Sequence, residues 1–187
     1  MNNKQASILE AARDLIAENG FHASPASQIA EKAGVGVGTM YRYFENKDNL
    51  VHEVHKEIET RLEKAIFQED DSLPVRERFI RTYTRLFNYL IQHPSDYKFL
   101  EQFYNSPYGI KKRREEAVKS TKYDSLKNLF NYAKSQQIIK DMNDDMLFGL
   151  CFGPISFLLK DHLRGFFELN KENIQMIVEC LWDSIKR

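Results

Sequence analysis

Apolar residues recur along this chain at three- and four-residue intervals almost throughout, and strict alternation is nearly absent. That period marks amphipathic helices rather than strands. Ile8, Leu9, Ala12, Leu15 and Ile16 form a first stripe, and Gly20 stands where a helix commonly ends in a left-handed glycine. Ser24-Pro25 reads as the N-cap and first turn of a second, short helix with Ile29, Ala30 and Ala33 on its apolar face, closed by Gly34. Residues 39–44 read as a third short helix. A long fourth opens at Lys47-Asp48 with the stripe Leu50, Val51, Val54, Ile58, Leu62 and Ile66.

Residues 68–74 (QEDDSLP) read as a linker, with Pro74 opening a helix that carries Val75, Phe79, Tyr83, Leu86, Phe87 and Leu90. Pro94 ends that helix, because the residue before a proline disfavours the α region. A helix with Tyr97, Leu100, Phe103 and Tyr104 comes next, and Pro107 breaks it. The pattern then predicts one long helix over 110–137, a helix from Asn143 or Asp144 to about Leu163, and a last one capped by Asn170. The total is about nine helices in an all-α protein. The expected division is a three-helix head at 1–48 and a larger helical bundle at 49–187.

Gly20 to Leu50 reads GFHASPASQIAEKAGVGVGTMYRYFENKDNL, which places two short helices around the tight turn Gly34-Val35-Gly36. This is a helix-turn-helix, whose second helix enters the DNA major groove with its N-terminal end. Gly36, Val37, Gly38 and Thr39 at its opening are small enough for the backbone to approach the bases closely. Tyr41, Arg42 and Tyr43 offer hydroxyls and a charge, and Lys47 stands at a helix N-terminus suited to holding a phosphate.

Charge neither helps nor excludes this reading. Lysine plus arginine and aspartate plus glutamate both number 27. In residues 1–50 five cations meet six anions, a side-chain balance of −1, unusual for a DNA-binding head. Distribution answers the objection, since Arg42 and Lys47 fall near the reading helix while Glu10, Asp14 and Glu18 belong to the first helix. No nucleophile–base motif, glycine-rich phosphate loop or paired-cysteine metal spacing occurs, so an enzyme, a metal and a cofactor are not expected. His52 and His55 read as solvated, and the basic run at 111–114 as a solvated helical face. Cys151 and Cys180 read as buried free thiols, which fits a reducing cytoplasm. No stretch reaches the roughly 18 to 20 apolar residues of a membrane span, and none is expected.

The spacing of Gly20-Phe21, Ser24, Ile29-Ala30, Ala33-Gly34-Val35, Gly38, Tyr41, Tyr43-Phe44, Lys47 and Leu50 resembles the DNA-binding domain of the TetR (tetracycline repressor) family of bacterial transcription regulators. The likeness spans roughly residues 4 to 50. It departs where many members have two hydroxyl residues in succession and this chain has Ser24-Pro25, leaving Ser27 as the available substitute.

The resemblance implies a homodimeric repressor that binds a near-palindromic double-stranded operator and is released by a small molecule. The alternative is a DNA-binding protein with no small-molecule effector. The DNA contacts implied are Ser27, Val37, Gly38, Thr39, Tyr41, Arg42, Tyr43 and Lys47. Eight aromatics in the 26 residues from Tyr83 to Tyr108 suggest an apolar or aromatic effector in a pocket of Tyr83, Phe87, Phe103 and Tyr104, closed by Phe148 and Phe152. The last two helices are apolar on more than one face, which points to a two-fold interface through Leu147, Cys151, Ile155, Leu158, Ile177, Leu181 and Trp182.

Overall fold

The computed structural model describes residues 3–67, 72–118 and 125–187, the side chains of 113–118 excepted, and these described residues form ten α-helices. They are α1 (Asn3–Asn19), α2 (Ala26–Lys32), α3 (Val37–Tyr43), α4 (Lys47–Ile66), α5 (Val75–Gln92), α6 (Pro94–Tyr104), α7 (Pro107–Val118), α8 (Ser125–Ser135), α9 (Asp144–Leu163) and α10 (Lys171–Ile185). The only strand-like pairing among the described residues is an isolated antiparallel bridge between Ile139 and Lys186. The all-α expectation holds. Helices α7 and α8 fall largely within the single helix expected over 110–137, and residues 119–124 of that expectation lie outside the description. So do 68–71 of the expected linker and the side chains of Arg113 and Arg114 in the basic run.

The helices pack as two units. The first comprises Met1–Arg61 and His93–Ser120, the second Leu62–Gln92 and Thr121–Arg187. In the first, α1, α2 and α3 pack on one another and α6 lies along α1. Ile8, Leu9, Ala12, Ile16, Ile29, Ala30, Met40 and Phe44 share one core with Leu50, Val51, Val54 and Ile58 of α4 and Phe99 and Phe103 of α6. The packed unit therefore takes in α6 and α7 beyond the three-helix head read along the chain. In the second unit α5 packs on α9 and α10. Its core combines Phe79, Tyr83 and Phe87 with Leu147, Cys151, Ile155, Leu159, Val178, Leu181 and Trp182.

Several helix ends differ by one position from the expectation, for a common reason. Pro25 is the N-cap of α2 rather than its first helical residue, and its carbonyl accepts the Ile29 N–H at 3.2 Å. Pro74 does the same for Arg78 at 3.0 Å. A cap has extended backbone, which proline adopts readily, and its carbonyl is all that the helix requires there. Ser24 is consequently not a cap. Its hydroxyl is buried and donates to the Gly20 carbonyl at 2.8 Å, closing the turn after α1. Asn143 and Asn170 cap α9 and α10 as expected, their side chains accepting the N–H groups of Met146 and Asn173 at 2.8 and 2.9 Å.

The end of α8 carries a local conflict. Gln137 has φ 56°, and the N–H groups of Gln137 and Ile138 bond back to Lys134 and Ala133, both at 2.9 Å. This is the closing pattern that normally recruits glycine, because a Cβ is strained in the left-handed region. Gln137 is exposed, so little packing offsets the strain. Gln137→Gly is expected to raise stability by about 0.5 to 1 kcal/mol, read as a higher urea midpoint with an unchanged slope. A lower midpoint would refute the strain argument.

Candidate nucleic-acid interface

The turn between α2 and α3 is built by backbone geometry. Gly34 takes φ +67°, its N–H bonds to the Glu31 carbonyl at 3.0 Å, and the Val35 N–H bonds to the Ala30 carbonyl at 2.9 Å. This double closure ends α2 and redirects the chain. Val35 packs half-buried against the core of the first unit. Gly36, in extended backbone, is the N-cap of α3, and its carbonyl accepts the Thr39 and Met40 N–H groups at 2.8 and 3.1 Å.

Along α3 the faces separate cleanly. Met40 is fully buried and, with Phe44, anchors the helix in the core. Val37, Gly38, Tyr41 and Arg42 are exposed, Val37 at 38% and Tyr41 at 44%. A Cβ built at Gly36 or Gly38 meets nothing within 4 Å, so the opening of α3 presents bare backbone to the outside. Thr39 is half-buried, and Arg42 Nη2 reaches its hydroxyl at 3.4 Å. Tyr43 is half-buried against the core, and Ser27 is exposed on α2.

Lys47 does more than its sequence position suggested. Its Nζ donates to the Phe21 carbonyl, tying the turn after α1 to the start of α4. Desolvation lowers its pKa and the neighbouring Asp48 opposes that shift. The N-cap of α4 is Asn46, whose side chain accepts the Asn49 N–H at 2.8 Å. Asparagine just before an apolar stripe was the signal for that cap.

His55 corrects the solvated reading given to it. It is only 2% exposed and its ring stacks on Phe103 at 3.9 Å. Nε2 lies 3.3 Å from the Tyr104 hydroxyl, and Nδ1 lies 3.3 Å from both Glu59 Oε2 and Lys112 Nζ. Lys112 also donates to Glu59 Oε1. Burial works against ionising Glu59, yet His55 and Lys112 outweigh it and bring the pKa down to about 2. A carboxyl whose folded pKa is depressed stabilises the fold above its ordinary value of 4.5 and loses that contribution as pH falls towards 2. Glu59→Gln should therefore melt lower than the parent at pH 7, and the gap should close by about pH 2. Melts at pH 7, 4 and 2 check this, and a gap that persists in acid would exclude the ionic cause.

The six residues read as an effector pocket do not gather in one unit. Phe103 and Tyr104 belong to the first unit, around His55, whereas Tyr83, Phe87, Phe148 and Phe152 belong to the second. There Tyr83 lies 5.8 Å from Phe152 between ring centroids, and Phe152 stacks on Phe148 at 5.6 Å. Phe148 and Phe152 are half-buried. Burial raises the Cys151 thiol to about 11, with a hydrogen bond to Tyr83 acting the other way, so the thiol stays neutral.

The residues read as a two-fold interface differ in their exposure. Leu147, Cys151, Ile155, Leu181 and Trp182 are buried inside the second unit, and Leu158 and Ile177 are half-buried. Four-residue spacing puts the first three on one buried side of α9, where Cys151 meets Tyr83 of α5, and leaves the opposite side of α9 uncovered. That side exposes Met146, Leu150 and Phe157, and Met176 of α10 is itself 66% exposed. Cys180 is exposed, against expectation, because it lies two residues from Val178 and so on the far side of α10. With 20 residues and a mean hydropathy of 1.2 in its most apolar window, α9 is long and apolar enough to cross a membrane by those measures alone.

Two family models match the chain. Residues 8–54 match bacterial regulatory proteins of the tetR family, and residues 74–186 match the tetracyclin repressor-like C-terminal domain. An uncharacterised helix-turn-helix transcriptional regulator of Haemophilus influenzae is 26% identical over 184 residues, covering 96% of this chain and 94% of that protein. The fatty acid metabolism regulator protein of Bacillus subtilis is 48% identical over 54 residues, 29% of this chain and 28% of its own length. The crystal structure of a TetR family transcription regulator from Marinobacter aquaeolei superposes with a TM-score of 0.87 at 25% identity, covering 100% of this chain and 97% of that one.

Proposed function

The chain belongs to the TetR family of bacterial regulatory proteins, and from that premise we propose that it is a homodimeric repressor released from its operator by a small molecule. Members of the family are DNA-binding regulators and not enzymes, and a protein that reads bacterial DNA works in the cytoplasm. The observation that carries the proposal is the open start of α3. Bare backbone at Gly36 and Gly38, with Val37 and Thr39 beside it, meets the base edges while Tyr41, Arg42, Tyr43, Lys47 and Ser27 hold the phosphates and flanking positions.

Dimerisation follows from the uncovered apolar residues of α9 and α10. Met146, Leu150 and Phe157 on one side of α9, and Met176 on α10, are large apolar side chains left in water, and a second copy related by a two-fold axis is the occupant that symmetry makes cheapest. Two α3 helices then address half-sites about 34 to 36 Å apart. A ligand that binds one separation better than the other shifts the equilibrium between them. The half-buried rings of Phe148 and Phe152 beside Tyr83 suit an apolar or aromatic ligand. The Bacillus subtilis relative matches over only 54 residues, 29% of this chain, so its name says nothing about this ligand.

Selection of bound fragments from a random DNA pool tests the proposal, and paired, inverted half-sites are the expected yield. On the selected operator, Lys47→Ala should weaken binding nearly uniformly across sequences and reduce the salt slope by about one. An unchanged slope would remove Lys47 from the phosphate contacts. Sedimentation at micromolar concentration showing only a 22.0 kDa species would remove the dimer.

A further inference from the structure

A chain of ionic contacts runs through the first unit from α2 to α4, and its centre is a buried carboxylate on α6. Asp96 is 1% exposed. Arg61 of α4 grips it with one guanidinium nitrogen, Nη2 lying 2.9 Å from Oδ1 and 3.1 Å from Oδ2. Arg13 of α1 places Nη1 3.5 Å from Oδ1. Each arginine is held from behind, Arg61 by Glu57 at 2.7 Å and Arg13 by Asp14 at 2.8 Å. Lys32 of α2 completes the chain, 3.8 Å from Asp14.

A charge is not the only way to hold these helices together. Burying a carboxylate is costly, and an apolar cluster of the same volume commonly holds helices together as well or better. An ionic junction offers definite distance and direction between its partners, because donors on a guanidinium meet carboxylate oxygens in a fixed geometry, whereas apolar surfaces slide. The helices joined are α1, which shares its core with α2 and α3, and α4 and α6. Any rotation of α1 against α6 carries the reading helix with it.

We propose that Asp96 is a positioning residue for operator recognition, its buried carboxylate joining Arg13 of α1 to Arg61 of α4 and so fixing where α3 stands. The inference rests on the two-half-site reading above. If α3 is set by this junction, loosening it alters the separation of two reading helices in a dimer while leaving each helix able to bind its own half-site. A merely structural role would instead weaken both kinds of binding together.

The test compares the parent protein with Asp96→Asn, Asp96→Glu and Arg13→Gln on duplexes carrying one or two half-sites, with the separation varied one base pair at a time. Asp96→Asn should lose tenfold or more in affinity for the parent's preferred two-site duplex. Its affinity for a single half-site should change less than twofold, and its preferred separation should broaden or shift by a base pair. Asp96→Glu should recover most of the loss. Arg13→Gln changes a partly exposed side chain and cuts the link between α1 and Asp96, together with Arg13's own pairs to Glu10 and Asp14 within α1, while leaving the Arg61 contact in place. It should reproduce the altered separation even if Asp96→Asn does not fold. Unchanged separation in Arg13→Gln, or parallel losses on one and two half-sites, would overturn the proposal and leave the two-half-site reading intact. A parent protein that selects no paired half-sites would overturn both.

Discussion

Gly38→Leu is expected to abolish specific DNA binding while leaving the protein as stable as before, or more so. The second residue of α3 has no protein neighbour within 4 Å of a built Cβ, so no packing is disturbed. Leucine is a better helix former than glycine by about 0.8 kcal/mol, so the melting temperature should hold or rise. On DNA the sign reverses under the proposed function, which brings the backbone at the opening of α3 up to the bases where an isobutyl group would now stand. The loss should be about a hundredfold or more, roughly 2.8 kcal/mol, in specific binding by titration. Weak binding to unrelated DNA, carried by phosphate contacts, should fall much less. Equal affinity in parent and variant would show that α3 does not enter the groove by this end.

Gly109→Ala should have the opposite signature, an effect on folding. Gly109 lies in the first turn of α7, where its backbone passes against the end of α6. A Cβ there would come within 2.5 Å of the Phe103 carbonyl oxygen and 2.6 Å of the Tyr104 Cα. Both are backbone atoms and cannot rotate away, so α7 must lift off α6 to admit one methyl group. The cost is about 3 kcal/mol or more, against which alanine's helix propensity returns only about 1 kcal/mol. Lifting α7 also draws Lys112 from His55 and Glu59, and Tyr108 from Asp48, to which its hydroxyl donates at 2.6 Å. Urea denaturation should show a large drop in midpoint. A midpoint within experimental error of the parent would mean that α7 has room to move.

The reading head was legible because its information is local. Turn glycines at 20 and 34, the apolar stripe of α1, and small residues at 36 and 38 each act within a few residues of themselves, and the structure places them at the turns and helix opening expected of them. The caps at Pro25 and Pro74 were displaced by one residue, since proline suits both the cap and the position after it.

By itself, then, the sequence determined the all-α class, the helix-turn-helix and the faces of α2 and α3, because helical period and turn chemistry are short-range properties. Only the tertiary structure decided what lies next to what. Pattern shows that a side chain prefers burial, but not against which helix. That is why Leu147, Cys151 and Ile155, which looked like surplus apolar surface, are core, while Met146, Leu150 and Phe157 remain outside. His55 was misread for the same reason, since a polar ring is buried only when distant partners satisfy it. Its partners Tyr104 and Lys112 are 49 and 57 residues away along the chain. Asp96 offered no signal at all, because a lone aspartate in the first turn of a helix is ordinary. Its role depends on two arginines that folding brings from α1 and α4.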